Sequence, residues 1–296
     1  MYEMKGKYTE NSKKKKRKAK LVTLLSISFL MAASCGLTSY AYERPNKKDE
    51  IEPNNTRETA QITQPTNEIK EKFAEDDWSG RHSVYGTATS SDDDWYKVDL
   101  PKGEQYLTVV HSYGDNATYV EMFDSKNNQI IPKTYGTRYN VISFDSKGDT
   151  YYIHIVGASE NENQYTLLVG TPMLTAAQSY VEFDPVNTSG TITKPFSLTN
   201  EELLPKEALV ARITLCDLPL SFNGARVTSS SSSSSITYSK TSLSGNIGSL
   251  GMELKSDWNI EFYPKTTVTS VPIVDFFYFY PVYDNTVYTP FLTLKR

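Results

Sequence analysis

From residue 80 onward, apolar and polar residues alternate over short stretches, the period-two pattern of half-buried strands. The clearest runs from Asp94 to Leu100, where Tyr96, Val98 and Leu100 fall on one side and Trp95, Lys97 and Asp99 on the other. The apolar trio predicts a core face and leaves Trp95 and Lys97 outside. Similar segments begin at Gly80 and recur over 106–111, 119–123, around Ile130, and over 141–144, 151–156 and 164–169. Turn residues separate them at Pro101 to Glu104, Asp124 to Asn128 and Asp145 to Asp149. Short strands with turns at this spacing predict an antiparallel sandwich.

Gly170-Thr171-Pro172 reads as a boundary. Beyond it, 180–183, 191–198, 208–216, 236–243, 251–254, 258–263 and 273–280 are again strand-like and predict a second, smaller β-domain over 173–296. Val274 to Tyr280 is aromatic on both faces, which predicts a central strand covered on both sides; a partner-binding edge is the alternative. The serine-rich run 228–235 reads as a solvated loop. Long helical periodicity is absent, and a short helix over 67–73 is the one helical expectation.

The first 41 residues differ from all of this. A basic stretch, Lys13 to Lys20, precedes an apolar run from Leu21 to Leu37, and small residues stand at Ser39 and Ala41. That layout predicts a secretory signal peptide cut after Ala41, with an uncleaved anchor or lipidation at Cys35 as alternatives. Residues 42–48 read as a linker. The export segment carries nine basic residues against two acidic ones, so the formal charge of −4 becomes about −11 without it. Such a balance argues against nucleic acid or anionic lipid as a partner and suits cations. Membrane contact is expected only through the signal segment or a lipid on Cys35. Cys216 then stands alone in an apolar run and reads as a small buried hydrophobe.

Catalytic inventory is thin. Histidine occurs at 82, 111 and 154, and the sequence holds no HExxH, Cys-x-x-Cys, Gly-x-Ser-x-Gly or phosphate-binding glycine loop. His154 shares a strand face with Tyr152 and is expected to be exposed. Carboxylates are plentiful, including Asp76-Asp77-Trp78, so an acid–base pair is not excluded by counting. Two acidic stretches stand out: Asp49 to Asn55, stiffened by Pro53, and Ser90 to Tyr96. Hard oxygen donors on an irregular segment suit calcium, whereas solvated loop ends are the plain alternative.

The segments Glu50-Ile51-Glu52-Pro53-Asn54-Asn55, Val84-Tyr85-Gly86, Asp92-Asp93-Asp94-Trp95-Tyr96-Lys97-Val98, Phe123-Asp124, Gly148-Asp149-Thr150-Tyr151-Tyr152-Ile153 and Tyr165-Thr166-Leu167 together resemble the bacterial pre-peptidase C-terminal domain family, which includes collagen-binding domains of clostridial collagenases. The resemblance covers residues 49–170. It implies an all-β, jelly-roll-like antiparallel β-sandwich with calcium near its N-terminal edge. Carried over by position, Glu50, Glu52, Asn54 and Asn55 match the first ligand segment and Asp94 the acid ahead of the strand. The chain departs from the family at Asn55, where Asp is frequent, and at Ser91, where collagenase members place a carboxylate; Asp92 is its expected substitute. These departures lower the ligand charge and predict an affinity of about 10⁻⁴ to 10⁻³ M.

Family members usually follow a peptidase catalytic domain, whereas a signal precedes the sandwich here, which favours a binding role. The expected function is that of a secreted or cell-surface, non-catalytic protein that binds an extracellular polymer or protein, collagen-like or polysaccharide. Trp95, Lys97 and Tyr152, projecting from core strands, are the expected ligand face. A hydrolase with its site in 173–296, and an export or folding accessory, are the alternatives.

Overall fold

The computed structural model describes residues 47–75, 79–111, 116–216, 222–239, 244–286, 288 and 291–296. The expected signal peptide, Cys35 and Asp76-Asp77-Trp78 lie outside the described residues. The fold is an all-β sandwich architecture. Its first strands are β1 (Lys47–Asp49), β2 (Gln61–Ile62), β3 (Ser83–Ala88), β4 (Asp93–Asp99), β5 (Lys102–His111), β6 (Thr118–Asp124), β7 (Gln129–Gly136), β8 (Tyr139–Lys147), β9 (Thr150–Gly157) and β10 (Asn163–Gly170). A five-residue helix, α1 (Lys70–Ala74), precedes β3 and ends one residue beyond the expected 67–73.

Strands β1-β3-β10-β5-β8 form one sheet and β2-β4-β9-β6-β7 a second. The chain crosses repeatedly between them, and only β1 and β2 join their neighbours in parallel. Alternation works as the sequence predicts: Tyr96 and Val98 of β4, Ile153 and Ile155 of β9, and Leu107 and Val109 of β5 are buried in a shared core. Each such side chain contributes about 1.5–3 kcal/mol by leaving water.

The later strands are β11 (Met173–Glu182), β12 (Val186–Thr188), β13 (Ile192–Ser197), β14 (Leu209–Cys216), β15 (Phe222–Ser229), β16 (Ser235–Ser239), β17 (Ser244–Asn246), β18 (Asp257–Pro264), β19 (Val268–Ser270), β20 (Ile273–Val282) and β21 (Phe291–Lys295). They build the sheets β17-β14-β20-β11-β21 and β13-β18-β15-β16 and the pair β12-β19. β20 lies at the centre of its sheet. Phe276 and Tyr278 enter the large core with Trp258 and Phe262. On its other face Phe277 and Phe279 pack with Phe73 of α1, which accounts for the two-faced aromatic pattern.

That large core also takes in Tyr106, Val141 and Leu168 from the first sheet. The sheet is therefore covered on both faces, and β10 is buried continuously from Tyr165 to Gly170. Glu68 and Arg81, both buried, tie the two series of strands together. Arg81 Nη1 donates to the Leu174 carbonyl at 3.1 Å, the Leu174 N–H donates to Glu68 Oε2, and the two charged groups approach to 3.4 Å.

Three local expectations change. Residues 102–104 belong to β5, with Gly103 at φ 124° paired to Ser146, and do not form a turn. The serine run is a loop only over 230–234, with Ser229 and Ser235 ending and beginning strands, and it has local partners: Ser230 Oγ accepts from Asp257 N, and Ser231 Oγ accepts from Glu253 N. These hydroxyls give the connection local partners that a flexible loop lacks. Residues 251–254 make a single bridge, Leu209 to Glu253, in place of a strand.

Candidate metal centre

Two backbone bonds hold the irregular segment after β1 against the sandwich edge. Glu50 N donates to Tyr85 O at 2.8 Å, and Trp95 N donates to Asn54 O at 2.9 Å. Pro53, with no N–H to offer, fits a stretch that leaves the ladder between these pins. Meanwhile the period of β4 turns Asp94 inward, two residues before Tyr96 and in phase with it. Oxygens of Glu50, Glu52 and Asp94 consequently lie within 4.8 Å of one another. Oxygens bound to one calcium at roughly 2.3–2.6 Å can be at most about 5 Å apart, so the spacing fits one ion.

Hydrogen bonds fix the cluster on its inner side. Tyr96 donates to Glu50 Oε1 at 2.5 Å, and Tyr165 lies 2.7 Å from Asp94 Oδ2 and 3.1 Å from Glu50 Oε1. The two hydroxyls are themselves 2.6 Å apart. Asn54 Nδ2 donates to Glu50 Oε1 at 3.0 Å, Asn54 N to Glu52 Oε2 at 2.9 Å, and Thr87 N to Glu50 Oε2 at 3.1 Å. Two phenolic protons serve four close contacts among two hydroxyls and two carboxylates. Burial, then the Glu50 charge, push the Asp94 carboxyl up to about 8, so that near pH 7 it holds a proton when no cation is bound. Tyr96 and Tyr165 are held far above the ordinary phenol range, by desolvation first, and stay hydrogen-bond donors.

Two oxygens remain without a hydrogen-bond partner, Asp94 Oδ1 and Asn54 Oδ1, and both residues are fully buried. An orphaned buried acceptor costs about 1–3 kcal/mol. Asp94 belongs to the cluster and Asn54 adjoins it through its Nδ2 bond to Glu50, and both oxygens are the hard donors that a calcium ion takes. The donor set therefore fits the ion. The other two expected ligands lie at the rim: Asn55 is exposed and its Nδ2 donates to Asp92 Oδ1 at 3.3 Å. The Asp92 pKa is raised, by desolvation and then by Glu52 and Glu50.

Trp95, Lys97 and Tyr152 all stand on the outer face of the second sheet. Trp95 is registered with His154, and Lys97 with Tyr152. The Trp95 and Tyr152 rings meet partners within the chain. The Trp95 indole lies parallel to the His154 imidazole at 4.4 Å and near Phe123 at 5.9 Å, while the Arg57 guanidinium covers Tyr152 at 4.0 Å. Arg57 is anchored there by Asn127 Oδ1 and the Asp124 carbonyl. His154, expected to be exposed, is half-buried because Asp93 binds Nε2 at 2.8 Å and Glu121 binds Nδ1 at 2.9 Å. Sequence reasoning passed over Tyr96 and Tyr165 as site residues, since a phenol at an inward position reads as core.

No protein-family model matches the chain, and no curated protein matches it in sequence. Among solved structures, it is similar to the pre-peptidase C-terminal domain of collagenase from Bacillus anthracis, at 15% identity over 37% of this chain and 93% of that one, with a TM-score of 0.28. It is also similar to CorA, a surface-associated copper-binding protein of Methylomicrobium album BG8, at 8% identity over 38% and 98% of the two chains (TM-score 0.26). The Aeromonas hydrophila PliG, a periplasmic inhibitor of g-type lysozyme, shares 20% identity over 38% and 97% (TM-score 0.25). Among the described residues no helix is long and apolar enough to cross a membrane.

Proposed function

We propose that this chain is a secreted or surface-held, non-catalytic binding protein whose first sandwich carries a calcium site. Glu50, Glu52 and Asp94 supply the carboxylates and Asn54 a neutral oxygen; Asn55 and Asp92 reach the site from its rim. An extracellular polymer or protein is the partner. The observation that carries the metal reading is the set of Glu50, Glu52 and Asp94 oxygens within 4.8 Å of one another, beside which the fully buried Asp94 Oδ1 and Asn54 Oδ1 have no hydrogen-bond partner. A cation satisfies both and neutralises the charge that burial disfavours.

Terbium tests this directly, because it takes the same oxygen donors and is sensitised by nearby phenols. Tyr96 and Tyr165 touch the carboxylates. Excitation of tyrosine should yield terbium emission that saturates, is displaced by millimolar calcium and is lost in Asp94→Asn. Absence of sensitised emission, or emission indifferent to Asp94→Asn, overturns the metal site.

A further inference from the structure

On the outer face of the second sheet, both ring nitrogens of His154 meet a carboxylate. Nδ1 lies 2.9 Å from Glu121 Oε1, and Nε2 lies 2.8 Å from Asp93 Oδ1. Ionised carboxylates only accept, so both contacts are hydrogen bonds while the imidazole carries two protons. With one proton, one nitrogen turns a lone pair on a carboxylate oxygen, and that contact becomes repulsive.

Strand order decides which contact survives. Glu121 stands directly opposite His154 on β6, its side chain is 17% exposed, and its other oxygen accepts from Gln129 Nε2 at 2.9 Å. Asp93 reaches the ring diagonally from the start of β4, and its side chain is 54% exposed. Among the described residues its carboxylate makes no second hydrogen bond. Releasing Asp93 returns a charge to water, whereas releasing Glu121 also gives up the Gln129 bond. Trp95, opposite His154 on β4, lies parallel to the ring at 4.4 Å, and its π face favours the charged imidazole. The other charges on this face stand one row away, Lys97 and Arg57 at the Tyr152 ring and Lys133 at the Tyr119 ring.

We propose that His154 is a proton-operated clamp: doubly protonated, it ties Asp93 and Glu121 across β4, β9 and β6, and on losing the Nε2 proton to solvent it keeps Glu121 through Nδ1–H and lets Asp93 go. The open state presents two acceptors beside Trp95, the Nε2 lone pair and the Asp93 carboxylate, where the closed state presents an ion pair. None of the three residues is a ligand of the proposed calcium site, so the clamp stands apart from that reading.

The experiment follows the imidazole nitrogen resonances of the whole chain, labelled at histidine, against pH, with His154 assigned by backbone connectivity. Neutral His154 should carry its proton on Nδ1, the nitrogen whose hydrogen bond fixes the tautomer. Trp95 emission should rise with the same midpoint, because a charged imidazole quenches a stacked indole, and the rise should be lost in His154→Gln. Asp93→Ala should keep the Nδ1–H form and Glu121→Leu should lose it. The tautomer is read in the parent, so it decides even where a variant does not fold. A neutral ring protonated on Nε2, or an Nδ1–H form that persists in Glu121→Leu, overturns the release of Asp93. Emission that stays flat through the His154 titration, or rises equally in His154→Gln, overturns the clamp.

Discussion

The buried carboxylate at the end of β4 gives the metal reading an energetic test. The Asp94 carboxyl ionises at its ordinary value of 3.8 in the unfolded chain and is pushed up to about 8 in the fold. The folded state therefore holds an extra proton between those values. Stability present at low pH is lost as pH rises from 3.8 through 8. At pH 7 the loss amounts to about 3.2 units, or about 4 kcal/mol at 1.36 kcal/mol per unit. Asn at this position removes the titration and keeps an acceptor for Tyr165, weakened by about 1 kcal/mol. In chelator at pH 7, Asp94→Asn should be more stable than the parent by about 3 kcal/mol, and equal to or less stable than it below pH 4.

Calcium should reverse most of that gain. At 100 times a Kd near 10⁻⁴ M, the parent gains about 2.7 kcal/mol and the variant little. Urea unfolding followed by far-ultraviolet circular dichroism, in chelator and in 10 mM calcium, measures all four states. A variant that is destabilised in chelator, or calcium shifts of equal size in both proteins, would refute the argument that this site exists to hold a cation.

Three further outcomes follow from groups elsewhere in the fold. Asp275, buried on β20 with Oδ1 unpartnered, is pushed up to about 6 by desolvation against the opposing pull of Arg212; Asp275→Asn should add up to about 3 kcal/mol above pH 6 and nothing below pH 3.8, read as urea midpoints across pH. His111 is buried neutral, lowered to about 4 by desolvation, so its cost to the fold begins below pH 6.5 and is complete near 4. His111→Gln should flatten the fall of Tm over that window, and an unchanged slope would count against it. Arg81→Met leaves Glu68 buried without its arginine and should cost about 3–5 kcal/mol, with much of the loss recovered in the Glu68→Gln, Arg81→Met double variant.

How much of this was legible in the sequence depends on where side-chain period decides the outcome. β4 and β9 alternate strictly, and their faces follow from that alone. Residues 173–179 of β11 were passed over because Thr171-Pro172 reads as a break and Ala176-Ala177-Gln178-Ser179 has little strand character; ten pairings with β20 impose the strand instead. Likewise Pro101-Lys102-Gly103-Glu104 has turn composition, yet the ladder from Lys102 to Val110 along β8 prevails. Local preference lost in both places to tertiary pairing.

At the site, the carboxylates were legible and their supports were not. Glu50, Glu52 and Asp94 carry their chemistry in their residue type. Tyr96 and Tyr165 do not, because alternation says only that a ring points inward. Their place on β4 and β10, in opposite sheets, brings the hydroxyls within 2.6 Å of each other beside Asp94. The same limit governs His154, whose clamp needs the β4-β9-β6 order that sets Glu121 directly opposite it. Recognition on the outer face was expected from three residues that alternate outward. Outward direction alone leaves open whether a ring is free, and the cross-strand neighbours His154 and Phe123 together with Arg57 occupy those rings. The open oxygen donors Asp49, Glu50, Glu52 and Gln164 lie around an open cleft at the sandwich edge.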